Sequence, residues 1–480
     1  MSATPSHYRG VLEISAEIRA GELSPVELTK AMLARVEALE PRLHAYYTVT
    51  RQRATAAAER AEREIGAGRW LGPLHGVPIG VKDLCFTAGI RTTGGSGVRR
   101  DFVPSYDATV VARLEAAGAV LLGKLATTEG AMAGYHPDFE VPRNPWGEAL
   151  WPGVSSGGSG VATAAGLCFA SLGTDTGGSI RYPSAMNGIV GLKPTWGRVS
   201  RHGVLDLAPS LDHVGPMTRR VADAAAVLRA IAGPDPGDPT ALPDAVPDYL
   251  AELDRGAAGL RIGYDQRYAT EGVAPPLASA IRTALDVLEK HGARIVEIAL
   301  PAEALDQDAL LAWQTLCAAE AAAVHHETYP SRAGEYGNWF RFWLGFGAST
   351  TGAQYAAAHR RRLETSGAIR NAMRDVDLLA CPAVASEPFP YRLAGVFEAP
   401  DPSGDSSAGV PLEWFQRSSR FTIPWDYNGY PTLTLPCGAT VEGLPLSLQL
   451  AGHPLTEGIL LRAGHAYESA TEWHRRQPPV

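Results

Sequence analysis

The chain has 480 residues, 45% of them hydrophobic and 20% charged, the ordinary balance of a globular enzyme with a sizeable core. A formal net charge of −8 without a long basic run argues against a nucleic-acid partner. No apolar run approaches membrane-spanning length, and the N-terminus lacks an apolar leader. The five cysteines lie far apart without a C-x-x-C pair, so reduced core thiols and a cytoplasmic location are expected.

In chain order, Ser24-Pro25-Val26-Glu27 combines an N-cap serine, a proline at the first helical position and the glutamate of a capping box. It predicts a helix to about Leu39, with Leu28, Met32 and Val36 on its apolar face, and an alanine-rich helix follows from Arg51 to about Ile65. Pro73 to Asp83 reads as a strand. Asp107 is placed to cap a helix that carries Val110, Val111 and Leu114 and closes at Gly118, and a strand is expected at Ala119–Leu122. Gly118 to Lys124 superficially fits a P-loop. Leu125 stands where Ser or Thr is needed, and the intervening residues are apolar strand, so no nucleotide site is placed there.

Between Gly153 and Ser184 two glycine-serine turns bracket a segment suited to a short helix and a buried strand. Glycines let backbone N–H groups converge on one point, and a serine among them can be a nucleophile with an oxyanion hole beside it. Val161 to Ala165 and Leu167 to Ala170 are too apolar for a flexible linker, so this stretch is read as an active site.

Further strands are expected at Gly188–Leu192, Leu260–Tyr264, Ala293–Ile298, Asp377–Cys381, Thr432–Pro436 and Pro445–Leu450. Helices are expected at Val221–Ile231, Leu277–Leu288, over much of Asp308–Arg374, and from a Thr456 cap to about Arg475. Length alone suggests about three domains. Strands near both ends favour one domain over residues 1–480 instead: an α/β/α sandwich around a mixed, mostly parallel twisted sheet, with N-terminal helices over 1–70.

Three chemistries compete for the serines. Gly153-Val154-Ser155-Ser156-Gly157 fits G-x-S-x-G, with His465 and His474 downstream for a Ser-His-Asp hydrolase using Ser155, but those histidines fall on the terminal helix. Gly158-Ser159-Gly160 opens a helix, yet Thr163 replaces the last small residue of a dinucleotide fingerprint. His325-His326-Glu327 lacks the i, i+4 histidine pair of a zincin, so no metal is assigned.

A further chemistry comes with a resemblance. Pro152 to Thr195, including Gly173-Thr-Asp-Thr-Gly-Gly-Ser-Ile-Arg-Tyr-Pro and Gly191-Leu-Lys-Pro-Thr195, resembles the amidase signature family. Gly76-Val-Pro-Ile-Gly-Val-Lys-Asp83, Asn144-Pro-Trp146, Ser210-Leu-Asp212, Gly215-Pro-Met217 and the Gly443 to Gly452 ending extend the likeness over most of the chain, weakest at about 300–420. The resemblance implies Ser179 as nucleophile, Ser155 on a cis peptide bond as relay, and Lys82 as base. It also implies the backbone N–H groups of Thr176, Gly177, Gly178 and Ser179 as oxyanion hole, with no cofactor. A lysine, ordinarily near pKa ~10.4, must be desolvated to serve as a neutral base, and Lys82 ends an apolar strand that supplies burial. Taken alone, Lys82 would more plainly be a surface lysine or a partner of Asp83.

Arg181 and Asp175 are read first as braces of the nucleophile turn, with contact between Arg181 and an acidic substrate as the alternative. Gly153 and Val154 border the relay serine, and Val154 stands where the family usually has a glycine. The variable 300–420 region carries an aromatic knot of Tyr336, Trp339, Phe340, Phe342, Trp343 and Phe346, with Trp313, Trp414 and Phe415 nearby. Trp339, Trp343 and Trp414 are the expected pocket aromatics, favouring a small hydrophobic or aryl amide, and carbamates or esters beside it. The family also includes a subunit that supplies ammonia for glutaminyl-tRNA formation. Gly123 to Gly130 departs from that subunit's pattern, so a free-standing amidase is preferred; a homodimer is left open.

Overall fold

Ser24 accepts the Glu27 N–H at 3.1 Å and opens the helix Pro25–Leu43. The expected capping box is only half made, because the Glu27 carboxylate pairs with Lys30, one turn on, at 2.8 Å. Arg51–Gly66 buries Ala54, Ala57, Ala58 and Ala61 on one stripe, and the Ser24 hydroxyl reaches across to Glu62 of this helix. The helix Thr109–Ala116 begins at Ala108 rather than with an Asp107 side-chain cap. Asp107 instead accepts the Ala88 N–H at 2.7 Å and meets Arg53, holding a neighbouring loop. The C-terminal helix ends at Ser469, and the Thr456 hydroxyl donates back to the His453 carbonyl at 2.7 Å instead of capping it.

The structure, a computed structural model, describes residues 5–302, 306–399 and 406–480. Within the region expected to vary, 303–305 and 400–405 thus lie outside the described residues. The strands are β1 (Tyr46–Val49), β2 (Pro78–Lys82), β3 (Val120–Leu125), β4 (Ala170–Asp175), β5 (Val190–Lys193), β6 (His213–Thr218), β7 (Arg261–Tyr264), β8 (Arg294–Glu297), β9 (Leu378–Pro382), β10 (Ser406–Ser407), β11 (Val410–Pro411), β12 (Thr432–Ala439) and β13 (Pro445–Gly452). All but β10 and β11, which form a small ribbon, join one sheet in the order β1-β3-β2-β4-β6-β5-β12-β13-β9-β7-β8. The sheet is mixed. Its parallel pairs lie in two groups, β3-β2-β4 and β9-β7-β8, while the pairs from β4 through β9 across the centre are antiparallel.

Helices pack on this sheet to complete the expected α/β/α sandwich. The helix Val221–Ile231 buries Val221, Val227, Leu228 and Ile231, and Pro275–Lys290 buries Leu277, Ile281, Leu285 and Leu288 at helical spacing. All five cysteines are buried and free. No helix among the described residues is long and apolar enough to cross a membrane.

Candidate active site

Two parallel strands bring distant residues to one point. β2 and β4 pair in the register Ile79–Ala170, Gly80–Ser171, Val81–Leu172, so both chains leave the sheet at the same edge. Ligand and reaction sites in α/β sheets gather at such carboxyl ends. Lys82 closes β2, Thr174 stands near the end of β4, and the loop before the helix Gly157–Ala164 passes between them with Ser155 and Ser156. Both glycine-serine turns thus take the expected form, one opening a short buried helix and the other following a fully buried strand.

Lys82 is fully buried, and its Nζ donates to three hydroxyls: Ser155 Oγ at 2.6 Å, Thr174 Oγ1 at 2.8 Å and Ser156 Oγ at 2.9 Å. No carboxylate pairs with it among the described residues. Burial therefore dominates and brings its pKa down to about 7, with Cys85, Asp175 and Asp212 only partly opposing. The plainer pairing with Asp83 does not form; Asp83 meets the buried Lys124 at 3.2 Å and receives the Thr93 N–H and hydroxyl. The Val154–Ser155 peptide bond is cis. The Ser155 hydroxyl accepts from a lysine, and no histidine bonds it among the described residues, which removes the geometric basis of a Ser-His-Asp arrangement at that serine.

Ser179 lies in the turn that follows β4, partly open where its neighbours are buried. Asp175 organises this turn from below. Its Oδ1 accepts the Gly178 N–H at 2.7 Å, and its Oδ2 accepts the Ile180 N–H at 2.9 Å. The resemblance places Gly178 among the oxyanion donors, but its N–H is already donated to Asp175. The N–H groups of Thr176, Gly177 and Ser179 have no partner among the described residues. Burial alone would raise the Asp175 carboxyl, yet Arg181, clasping both of its oxygens at 2.7 and 3.0 Å, holds it well below the usual carboxylate range.

Arg181 is fully buried and also donates to Asp426 at 2.6 Å and to the Thr422 carbonyl at 2.7 Å. Its donors are engaged internally, the arrangement expected of a brace of the turn rather than of a contact to an acidic substrate. No local motif marks Asp426, which lies 245 residues away and completes this ion cluster. Nearby, His213 lies 3.5 Å from Asp426, and Lys193 lies 3.1 Å from His213; burial lowers the pKa of both groups, that of Lys193 to about 7.

A narrow cavity of about 30 Å³ opens at Ser179, with Ala131, Met132, Val154, Gly177, Tyr182, Leu207, Trp313 and Phe415 among its walls. Of the residues expected to touch substrate, Val154 is at this wall. Gly153 is not: it is buried at φ +80, and a Cβ on it would sit 2.5 Å from the Pro183 backbone. Trp339 and Trp343 stand one layer back. Trp339 packs over Gly134 and Phe340 over Gly130, the glycines that flank Ala131 and Met132 of the cavity wall, and neither ring is in that wall. Trp343 backs Trp313 at a ring separation of 6.2 Å. Trp414 turns away to Trp151 and Phe389, each 4.9 Å off, while the next residue, Phe415, faces the cavity. Successive helical side chains point about 100° apart, so one of such a pair is in the wall and the other behind it.

A sequence model of the family described as Amidase matches residues 27–461. A putative amidase, AmiD, of Mycobacterium tuberculosis is 44% identical over 98% of this chain and 95% of that protein. A glutamyl-tRNA(Gln) amidotransferase subunit of Chloroflexus aggregans is 40% identical over 99% of both. Among solved structures, 6-aminohexanoate cyclic dimer hydrolase complexed with substrate superposes with a TM-score of 0.89 at 28% identity, covering 99% of both chains.

Proposed function

The chain belongs to the amidase family of C–N hydrolases, and on that basis we propose that it cleaves a small, hydrophobic or aryl amide through an acyl-enzyme on Ser179. The observation that carries this reading is Lys82: fully buried, held near neutrality, and 2.6 Å from the Ser155 hydroxyl at the strand edge that also presents Ser179.

Neutral Lys82 accepts the Ser155 proton as Ser155 accepts that of Ser179, whose oxygen bonds to the amide carbon. The carbonyl π pair moves onto oxygen, facing the unpaired N–H groups of the 176–179 turn, which exclude that of Gly178. As the C–N bond breaks, the proton returns through Ser155 to the departing nitrogen, leaving an ester on Ser179. Water then attacks that ester with the same relay running again, releasing the acid and restoring Ser179. Apolar walls at Val154, Met132, Trp313 and Phe415 suit an acyl group without charge, and carbamates and esters share the reacting carbonyl.

The 40% likeness to an amidotransferase subunit supports a second reading, release of ammonia from an amide within an assembly. One experiment separates them. The purified chain, labelled with a fluorophosphonate and mapped by mass spectrometry, is expected to carry the label on Ser179 and to hydrolyse members of an amide, carbamate and ester panel alone. Label on Ser155 with an active Ser179→Ala variant would overturn the mechanism. A labelled chain inert until partner proteins are added would establish the second reading.

A further inference from the structure

We propose that Trp313 is a positioning residue that aims the oxyanion-binding Gly177 N–H, and that Thr422 locks the peptide plane between it and the Ser179 N–H; this rests on the reading of Ser179 as nucleophile. A trans peptide unit is planar, with its C=O and N–H pointing in opposite directions, so whatever fixes a carbonyl also aims the next residue's N–H. The peptides of this turn are trans, and each is held by a different group.

Trp313 Nε1 donates to the Thr176 carbonyl at 2.9 Å, which sets the plane carrying the Gly177 N–H. Thr422 Oγ1 donates to the Gly177 carbonyl at 2.7 Å while Asp175 takes the Gly178 N–H, so that plane is fixed at both ends. The Tyr182 N–H donates to the Gly178 carbonyl at 2.7 Å, which sets the plane carrying the Ser179 N–H. The result alternates along the turn: the Gly177 and Ser179 N–H groups stay unpaired among the described residues, and the one between them is consumed.

Trp313 and Thr422 both come from far along the chain and are themselves held. Trp313 is buried on the helix Gln307–Val324, and its ring lies so close to Gly177 that a Cβ there would sit 2.5 Å from Cζ2. Thr422 is buried, and its hydroxyl also meets Tyr182 Oη at 2.8 Å. Oxyanion donors act best when they need no reorganisation during the reaction, and these side chains supply that rigidity.

Trp313→Phe keeps a ring and removes the indole N–H; Thr422→Val keeps the shape and removes the hydroxyl. Each is expected to lower kcat roughly ten- to a hundredfold with KM changed by no more than about twofold. Affinity for a substrate-like aldehyde, which forms a tetrahedral oxyanion on Ser179, is expected to fall by the same factor. Affinity for the corresponding alcohol, which forms none, is expected to hold. A raised KM with unchanged kcat, or equal losses for aldehyde and alcohol, would make Trp313 merely a wall and overturn the proposal. Where one variant melts too low to assay, the other decides alone. Failure of the underlying reading looks different: the wild-type chain would then not bind the aldehyde, and Ser179→Ala would stay active.

Discussion

The Nζ of Lys82 lies 2.6 Å from the Oγ of Ser155, although 73 residues separate them in the chain. The contact depends on β2 and β4 running parallel and in register, since this puts the end of β2 against the loop that leads into the helix Gly157–Ala164. Lys82 meets hydroxyls there and no carboxylate, so its charge has little compensation.

The first prediction concerns pH. In the proposed mechanism Lys82 is a base only when neutral, so kcat/KM is expected to rise with pH through about 7 and level off above. Stability moves with it. The unfolded chain binds the lysine proton more tightly than the folded one between about 7 and the ordinary lysine value, so stability rises with pH across that window. Lys193, also brought down to about 7 by burial, adds to the same slope. Lys82→Met should abolish activity and flatten, without removing, the slope measured by urea denaturation from pH 7 to 10.

Arg181 bridges Asp175 and Asp426 with all three side chains fully buried. Arg181→Met leaves two buried carboxyls without their cation, and a loss of about 3–5 kcal/mol is expected in denaturant titration. Activity should fall too, because Asp175 holds the Gly178 and Ile180 N–H groups beside Ser179, the proposed nucleophile. A variant as stable as the parent would show that the cluster is not what secures the turn.

Phe415 and Val154 border the cavity, whereas Trp339 stands behind it. Phe415→Ala and Val154→Gly are therefore expected to shift kcat/KM toward bulkier acyl groups by roughly tenfold relative to the smallest ones. Trp339→Ala should instead cost about 3–5 kcal/mol of stability and leave the ratio between acyl groups unchanged. Competition between short and branched acyl anilides measures both.

Glu468 offers a test away from the site. It is buried and accepts the Val221 N–H at 2.9 Å, and burial raises its pKa to about 8. The folded chain then holds the carboxyl proton more tightly than the unfolded chain, so this group's stabilisation is lost as pH rises from the ordinary carboxyl value through about 8. Glu468→Gln should lose less stability than the parent between pH 5 and pH 8 in urea titrations.

Local order in this protein follows from residues close together in the chain. Apolar stripes at helical spacing, the Ser24 cap and the buried runs ending in Lys82 and Asp175 depend on neighbours a few residues away, so they are legible in one dimension. The glycine-serine turns are legible for the same reason, whereas the role of Lys82 comes only with the family resemblance, since a lone lysine would be read as a surface or paired one. Which groups remain free to act is settled only when the chain folds. Arg181 is engaged by Asp426, and the Gly178 N–H is consumed by an aspartate that the same arginine clamps. Trp313 is drawn to the Thr176 carbonyl, 137 residues away, while Trp339 and Trp343 fall one layer behind. Hydrogen-bond allocation and the direction of a helical side chain are set by partners the chain meets only on folding. A residue type announces what it can do, and its packing fixes what it is left to do.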